Sequence, residues 1–229
     1  VFNVNFLKYL FVVIPGTIAG DIIVKMMKLK SEDLKENFNN YSGLSVLLAI
    51  LVAGFTLVSL VTLYNRWGWE GFATGVLMLA ISWYILRDLH GNYFAILKQF
   101  FLWGAFWFVL GFLLEPFEGG IKKDHSTMSY YFLTSGLALF FIIFASIIIG
   151  FFSKRAWMGL LIDSGQNPMI AYAGGGNLIT PILGLLGIEA LMGEYFTTPF
   201  LGFLKGLIVT LALAWIVKLF TKYKVFWRS

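Results

Sequence analysis

The chain alternates between long apolar segments and short polar stretches, a pattern typical of helices that cross a bilayer repeatedly. The apolar segments cover residues 6–26, 44–64, 71–86, 93–114, 130–152, 167–186 and 199–220. Most have the roughly 20 residues that a spanning helix needs. The third has only 16. The pattern predicts an all-α polytopic integral membrane protein with about seven transmembrane helices, in a single transmembrane domain over residues 1–229.

The basic residues predict how these segments cross. If all seven cross, one side carries 11 lysines and arginines and the other carries 4; without the short third span the division is 9 to 6. Basic residues concentrate on the cytoplasmic side of membrane proteins. We therefore expect seven spans, an external N-terminus and a cytoplasmic C-terminus. The four external basic residues are then Lys8, Arg66, Lys122 and Lys123.

Composition excludes several classes of function. Of the 229 residues, 59% are hydrophobic and none is cysteine, so disulfides, thiolate metal sites and cysteine nucleophiles are excluded. No His or carboxylate pair at i,i+4 lies inside a span, so no metal is expected. The net charge is +5, but the basic residues lie between the apolar spans and form no single patch. This distribution is typical of membrane topology, so we expect the lipid bilayer as partner and no nucleic acid.

Residues 163–172 read Asp-Ser-Gly-Gln-Asn-Pro-Met-Ile-Ala-Tyr and run from polar groups into an apolar span. Unpaired polar groups are costly in a bilayer, so such clusters usually line a protected cavity or bind a ligand. Ser164, Gln166 and Asn167 are therefore candidates for a site, together with Asp163. The alternative is a helix start, with a cap at Asp163 or Ser164 and the proline in the first turn.

The next span contains Gly174-Gly175-Gly176, then Asn177 and Thr180-Pro181. Small residues permit close helix packing, and prolines interrupt helices. We expect an irregular or broken helix, which is tolerated only beside protein or a watery cavity, so Asn177 joins the candidates.

Three further features are expected to be structural. Pro15-Gly16 should kink the first span, Asp21 and Lys25 should form an i,i+4 pair, and residues 31–36 should form a short surface helix. Lys98 and Lys205 lie inside spans and are expected to extend toward the nearer headgroups.

The predicted external loop around residues 115–129 holds Lys122, Lys123 and His125 among further polar residues. Two lysines beside a histidine could hold an anion or a sugar, and histidine is the natural general base near neutral pH. The alternative is an ordinary polar loop. The other histidine, His90, is expected to be an interface residue at a helix end.

Three stretches together resemble a known family: residues 8–21, 120–136 and 163–172. In this order and spacing they resemble the C-terminal half of bacterial membrane proteins related to heparan-alpha-glucosaminide N-acetyltransferase, most closely a branch found in gut Bacteroidetes. The resemblance extends over nearly the whole chain. It implies a transmembrane acyltransferase that takes an acetyl group from cytoplasmic acetyl-CoA and delivers it to an extracytoplasmic amino sugar or glycan.

The resemblance also implies roles for residues. Asn167 and Tyr172 match the family's Asn-x-x-x-x-Tyr segment, and Lys122, Ser129 and Tyr130 match its loop followed by Ser-Tyr. The animal enzymes carry a His after the glycine that follows the first segment, whereas Gly174 is followed here by Gly175. The family's catalytic His belongs to an N-terminal half that this chain does not contain.

We therefore expect this chain to be the C-terminal part of a longer acyltransferase, inactive alone, in the bacterial inner membrane. Its substrate or acyl donor would be bound by Ser164, Gln166, Asn167, Tyr172, Asn177, Lys122 and Lys123, with His125 as a catalytic candidate. The alternative is a transporter or carrier of a small polar or glycan-linked substrate. The missing half is an expected partner, and the sequence leaves a homo-oligomer open.

Overall fold

The structure, a computed structural model, describes residues 9–29, 41–152 and 156–227. The chain divides into two compact units, Val1–Phe151 and Phe152–Ser229. Every regular element in the described residues is helical, which confirms the all-α class.

Among the described residues, the first unit contains five long helices. They are α1 (Leu10–Met27), α2 (Ser42–Tyr64), α3 (Gly68–Arg87), α4 (Asn92–Glu118) and α5 (Met128–Phe152). Each is long and apolar enough to cross a membrane. The short third segment is thus confirmed as a span, because its helix begins at Gly68, includes Trp69 and Glu70, and reaches 20 residues.

Aromatic rings from three helices form the centre of this unit. Phe55 of α2 lies against Phe108 of α4 and Phe140 of α5, with ring centroids 4.9 and 4.8 Å apart. Glycine lets α4 and α5 come this close: a Cβ on Gly136 would lie 2.9 Å from both the Gly104 carbonyl oxygen and the Phe108 nitrogen.

The second unit contains shorter and more irregular elements. They are α6 (Ala156–Gln166), α7 (Pro168–Gly174), a π-helical turn (Gly175–Ile179), α8 (Thr180–Leu185), α9 (Ile188–Tyr195) and α10 (Pro199–Lys222). The π-helical turn begins at the second of the three glycines, and α9 bends by 97° from the preceding helices. The predicted irregular helix is confirmed. Among the described residues six helices could span a membrane, or seven if this bent pair is one span.

One structural prediction is wrong. Lys25 does not pair with Asp21; its Nζ donates to Oε1 of Gln99 on α4, 3.3 Å away, because a neighbouring helix offers an acceptor that sequence spacing cannot reveal. The helix α1 continues through Pro15, and the predicted kink stays a prediction. The predicted surface helix at residues 31–36 lies outside the described residues.

Candidate functional site

A pocket of about 430 Å³ lies in the first unit, where the α2–α3 loop meets the α4–α5 loop. We call it the Arg66 pocket. Its polar rim is formed by Arg66, Lys122, Lys123 and Glu115, with aromatic side chains from Tyr64, Trp67 and Tyr130. Thr134 follows Leu133 on α5 and lies deeper in the pocket. Leu60, Leu63, Phe112, Leu133 and Leu137 line its apolar part. The volume lies in the range of small-molecule sites, which are mostly apolar with a few convergent polar groups.

The end of α2 places Arg66 at the rim. The Trp67 N–H donates to the Thr62 carbonyl at 2.8 Å and the Arg66 N–H donates to the Leu63 carbonyl at 3.1 Å. These bonds form a Schellman-type ending, in which the residue after the cap is left-handed and is usually glycine. Arg66 occupies that position with φ of 58°. Arg66 thus has a left-handed backbone conformation that is unfavourable for a residue with a side chain. Such strained residues are common at functional sites.

The end of α4 places the two lysines. Gly119 and Gly120 have φ of 66° and 104°, so the helix ends there in a left-handed turn that only glycine adopts without strain. A small loop follows, closed by the Thr127 N–H donating to the Lys122 carbonyl at 3.2 Å and by the Lys122 N–H donating to the Thr127 hydroxyl at 3.2 Å. This closure fixes the backbone from which Lys122 and Lys123 reach the pocket.

The charges of the rim are unbalanced. Three basic side chains and one acidic side chain, Glu115, line the pocket. Within the described part of the chain, no carboxylate lies within 4.0 Å of the charged groups of Arg66, Lys122 or Lys123; the salt bridge found there joins Arg87 and Asp88. Unpaired cations beside a concave apolar surface favour an anionic ligand.

The structure places the two histidines outside this pocket. His125 is exposed and lies in the same closed loop as the lysines, with φ of 56°. His90 lies at the end of α3, where its Nδ1 is 2.8 Å from the Asp88 carbonyl oxygen. His125 is therefore a neighbour of the rim and not part of its lining.

Asn167 holds the C-terminal segment in the second unit. Its side chain is almost fully buried, its Nδ2 donates to the Val225 carbonyl at 2.8 Å, and its Oδ1 accepts from the Trp227 N–H at 3.3 Å. Both ends of the amide are therefore occupied by backbone. In the same region the Thr221 hydroxyl donates to the Asp163 carbonyl at 3.2 Å.

The other candidates of this segment do not converge. The Ser164 hydroxyl donates to the Leu160 carbonyl of its own helix at 2.8 Å, and Gln166 is exposed. Tyr172 is 89% exposed, and Asn177 is exposed on the π-helical turn. The candidates of the second unit are thus not brought together in either of the two pockets described here, whereas Lys122 and Lys123 line one pocket.

A second pocket, of about 380 Å³, lies within the second unit beside the bend between α8 and α9. Thr180, Glu189, Lys205 and Thr210 contribute its polar groups. Lys205 therefore lines a cavity. Lys98, in contrast, extends to the end of α3, where its Nζ donates to the carbonyls of Arg87 and Leu89 at 3.0 and 2.9 Å.

Sequence reasoning missed Arg66, Trp67 and Glu115 as site residues. Arg66 entered only as one of the four external basic residues, and Glu115 only as the first residue of the predicted external loop. Their common signal is position, because the predicted topology puts their loops on the same side of the membrane as Lys122. That signal could have grouped them.

Among the described residues, no group of three or more His, Asp or Glu side chains is close enough to hold a metal ion. Comparisons with protein-family models, with curated proteins and with solved structures found no match to this chain.

Proposed function

We propose that this chain is the acceptor-binding part of a transmembrane acyltransferase of the bacterial inner membrane, with the Arg66 pocket as its acceptor site. The enzyme would move an acetyl group from cytoplasmic acetyl-CoA to an extracytoplasmic amino sugar or glycan. The observation that carries the proposal is the pocket itself. It combines aromatic side chains, which suit a sugar ring, with unpaired cations between two loops predicted to be external.

The chemistry needs further groups beside the pocket. An acceptor amine or hydroxyl that attacks a thioester needs a base and a donor for the developing oxyanion. His125, in the loop that carries Lys122, is the candidate base on this chain. The family resemblance assigns the catalytic His to the N-terminal half, so transfer requires the complete protein.

The test is acetyl transfer in right-side-out vesicles from cells that express the complete coding sequence. Labelled acetyl-CoA inside and glucosamine 6-phosphate, an amino sugar with an anionic group, outside should give labelled N-acetylglucosamine 6-phosphate outside. Arg66→Gln should raise KM for the acceptor about tenfold with a smaller change in kcat, because it removes binding common to ground and transition states. Absence of labelled product with correctly folded protein would reject the proposal.

The proposed orientation has its own test. Residues 1–229 contain no cysteine, so single cysteines introduced into this chain expressed by itself report without background. Asp124→Cys should react with an impermeant maleimide added to intact cells, whereas His90→Cys should react only after permeabilisation. The reverse pattern would put the Arg66 pocket on the cytoplasmic side, where the acyl donor and not the acceptor is found.

A transporter or carrier is the second candidate function. The bent, π-helical span favours it, because transporter sites are often built from interrupted helices, and the neighbouring pocket contains Lys205 and Glu189. Accumulation of glucosamine in vesicles that lack acyl-CoA would support transport. A strict requirement for acyl-CoA would support the enzyme.

A further inference from the structure

The Arg66 pocket is divided into two chemically different parts. Its basic rim lies at helix ends and in loops, and its apolar part lies along the spans. Leu137 is nine residues beyond the first residue of α5, which is about 13 Å along the helix axis. The pocket therefore extends from the loops well into the apolar length of the helices. A small water-soluble anion would use only its rim.

Two residues that line the deeper part of the pocket are exposed. Leu60, one turn before the end of α2, is 51% exposed, and Thr134 of α5 is exposed. Both line the pocket, and both lie on helices that cross the membrane. An exposed side chain on a spanning helix faces lipid chains unless a partner covers it. An acyl chain can thus enter from the bilayer without passing through water.

The rim determines which head group fits. An isolated amine would be repelled by Arg66, Lys122 and Lys123, which exceed the single acidic lining residue, Glu115. A phosphate would be attracted, since Arg and Lys bind phosphate oxygens through charge-assisted hydrogen bonds. An acceptor for this pocket must therefore carry a negative charge close to its hydroxyl or amine.

We propose that the Arg66 pocket takes a membrane lipid with an anionic phosphate head group, its head at the basic rim and its chain against Leu133 and Leu137. This inference rests on the proposed function, for which it specifies the acceptor as a lipid-borne group. Charge complementarity selects the head, and the lateral opening selects the lipid over a free anion.

The experiment is native mass spectrometry of the purified chain with phosphatidylglycerol, with phosphatidylcholine of the same chains, and with inorganic phosphate. Phosphatidylglycerol should be retained at least about tenfold more tightly than phosphatidylcholine, because each basic residue near an anionic head contributes several-fold. Inorganic phosphate should not displace it at equal concentration.

Two variants test separately the binding of the lipid head group and of its acyl chain. Substitution of Arg66, Lys122 and Lys123 by Gln should remove the preference for phosphatidylglycerol. Thr134→Trp changes no charge at an exposed position, and it should lower retention of phosphatidylglycerol about tenfold by filling the lateral opening. The matched control replaces three exposed lysines elsewhere, Lys28, Lys222 and Lys224, by Gln and should keep the preference.

Any of three outcomes overturns the inference. Equal retention of the two lipids excludes a selective head-group site. Displacement by inorganic phosphate, with Thr134→Trp inactive, indicates a soluble-anion site. Equal loss in the control triple variant indicates general surface attraction. Loss of lipid selectivity with intact transfer to soluble glucosamine 6-phosphate rejects this inference alone. Selective lipid retention without any acetyl transfer rejects the proposed function alone.

Discussion

The two units use their polar residues in opposite ways. In the first, Arg66, Lys122 and Lys123 surround a pocket without an ion pair among the described residues. In the second, the polar segment before α7 is largely bonded to backbone, since Ser164 donates within its own helix and Asn167 bonds the C-terminal segment through both ends of its amide. Density of polar residues therefore marks a ligand site less well than their lack of partners.

The units also differ in how their spans are buried. Of an 18-residue apolar stretch in α5, 44% is buried, whereas of the corresponding stretch in α10 only 6% is buried. The first unit has a packed aromatic centre. The loops that form the pocket connect the helices packed around this centre, so their ends are held in place. The second unit keeps few buried side chains in its spans, so single hydrogen bonds such as those of Asn167 matter more there.

The largest expected effect comes from Gly136→Ala, which tests the rigid centre of the first unit. The new methyl would meet backbone atoms of α4 at 2.9 Å, and backbone cannot move aside cheaply. We expect a loss of about 3 kcal/mol in the free energy of unfolding, at the upper end of overpacking costs. Thermal unfolding in detergent measures it.

Gly20→Ala is the matched control, because a Cβ there would meet nothing within 4 Å. It should leave the unfolding temperature nearly unchanged. Similar losses in both variants would mean that helix packing in this unit does not depend on the close approach of α4 and α5.

The next effect is that of Asn167→Ala, a loss of about 2 kcal/mol in the free energy of unfolding, because the hydrogen bonds from the buried Asn167 amide to the Val225 carbonyl and the Trp227 N–H are lost. Release of the C-terminal segment should speed tryptic cleavage at Lys222 and Lys224. Exposed Gln166→Ala is the control and should change neither quantity. If Asn167→Ala keeps the segment protected but abolishes acetyl transfer, the second unit contains the site and the contrast between the units fails.

The sequence predicts some parts of this fold well and others poorly. The spans follow from local apolar runs, and even the short third segment became a full helix because adjacent Trp69 and Glu70 extend it. Partners distant in sequence are a different matter. Asn167 bonds residues 58 and 60 positions away, and Lys25 bonds Gln99, 74 positions away. Lys122 and Lys123 were predicted because they are adjacent, whereas Arg66 joins them only through the fold.

A smaller effect is expected from Glu118→Gln, which tests how the pocket loop is held. The Glu118 carboxylate accepts from the Met128 and Ser129 N–H groups, both at 2.8 Å, at the start of α5. A negative charge at a helix N-terminus contributes up to about 1 kcal/mol, and the amide removes that charge. Thermal unfolding should show this loss, and Glu115→Gln, which makes no such bonds, should not. Equal losses would remove helix capping as the explanation.

The smallest effect, Arg66→Gly, separates stability from binding within the first unit. Arg66 has φ of 58°, and glycine adopts this conformation without the steric cost paid by other residues. We expect a gain of about 0.5 kcal/mol in stability, because the extra freedom of glycine in the unfolded chain offsets part of the relief. Retention of phosphatidylglycerol should fall, since a rim cation is lost.

His125→Gly is the matched control, because His125 has φ of 56° and lies outside the pocket lining. It should gain similar stability and keep the lipid. If Arg66→Gly gains stability and still retains the lipid, the strained arginine has no role in the pocket; a loss of both would make Arg66 part of the scaffold, as Asn167 is in the second unit.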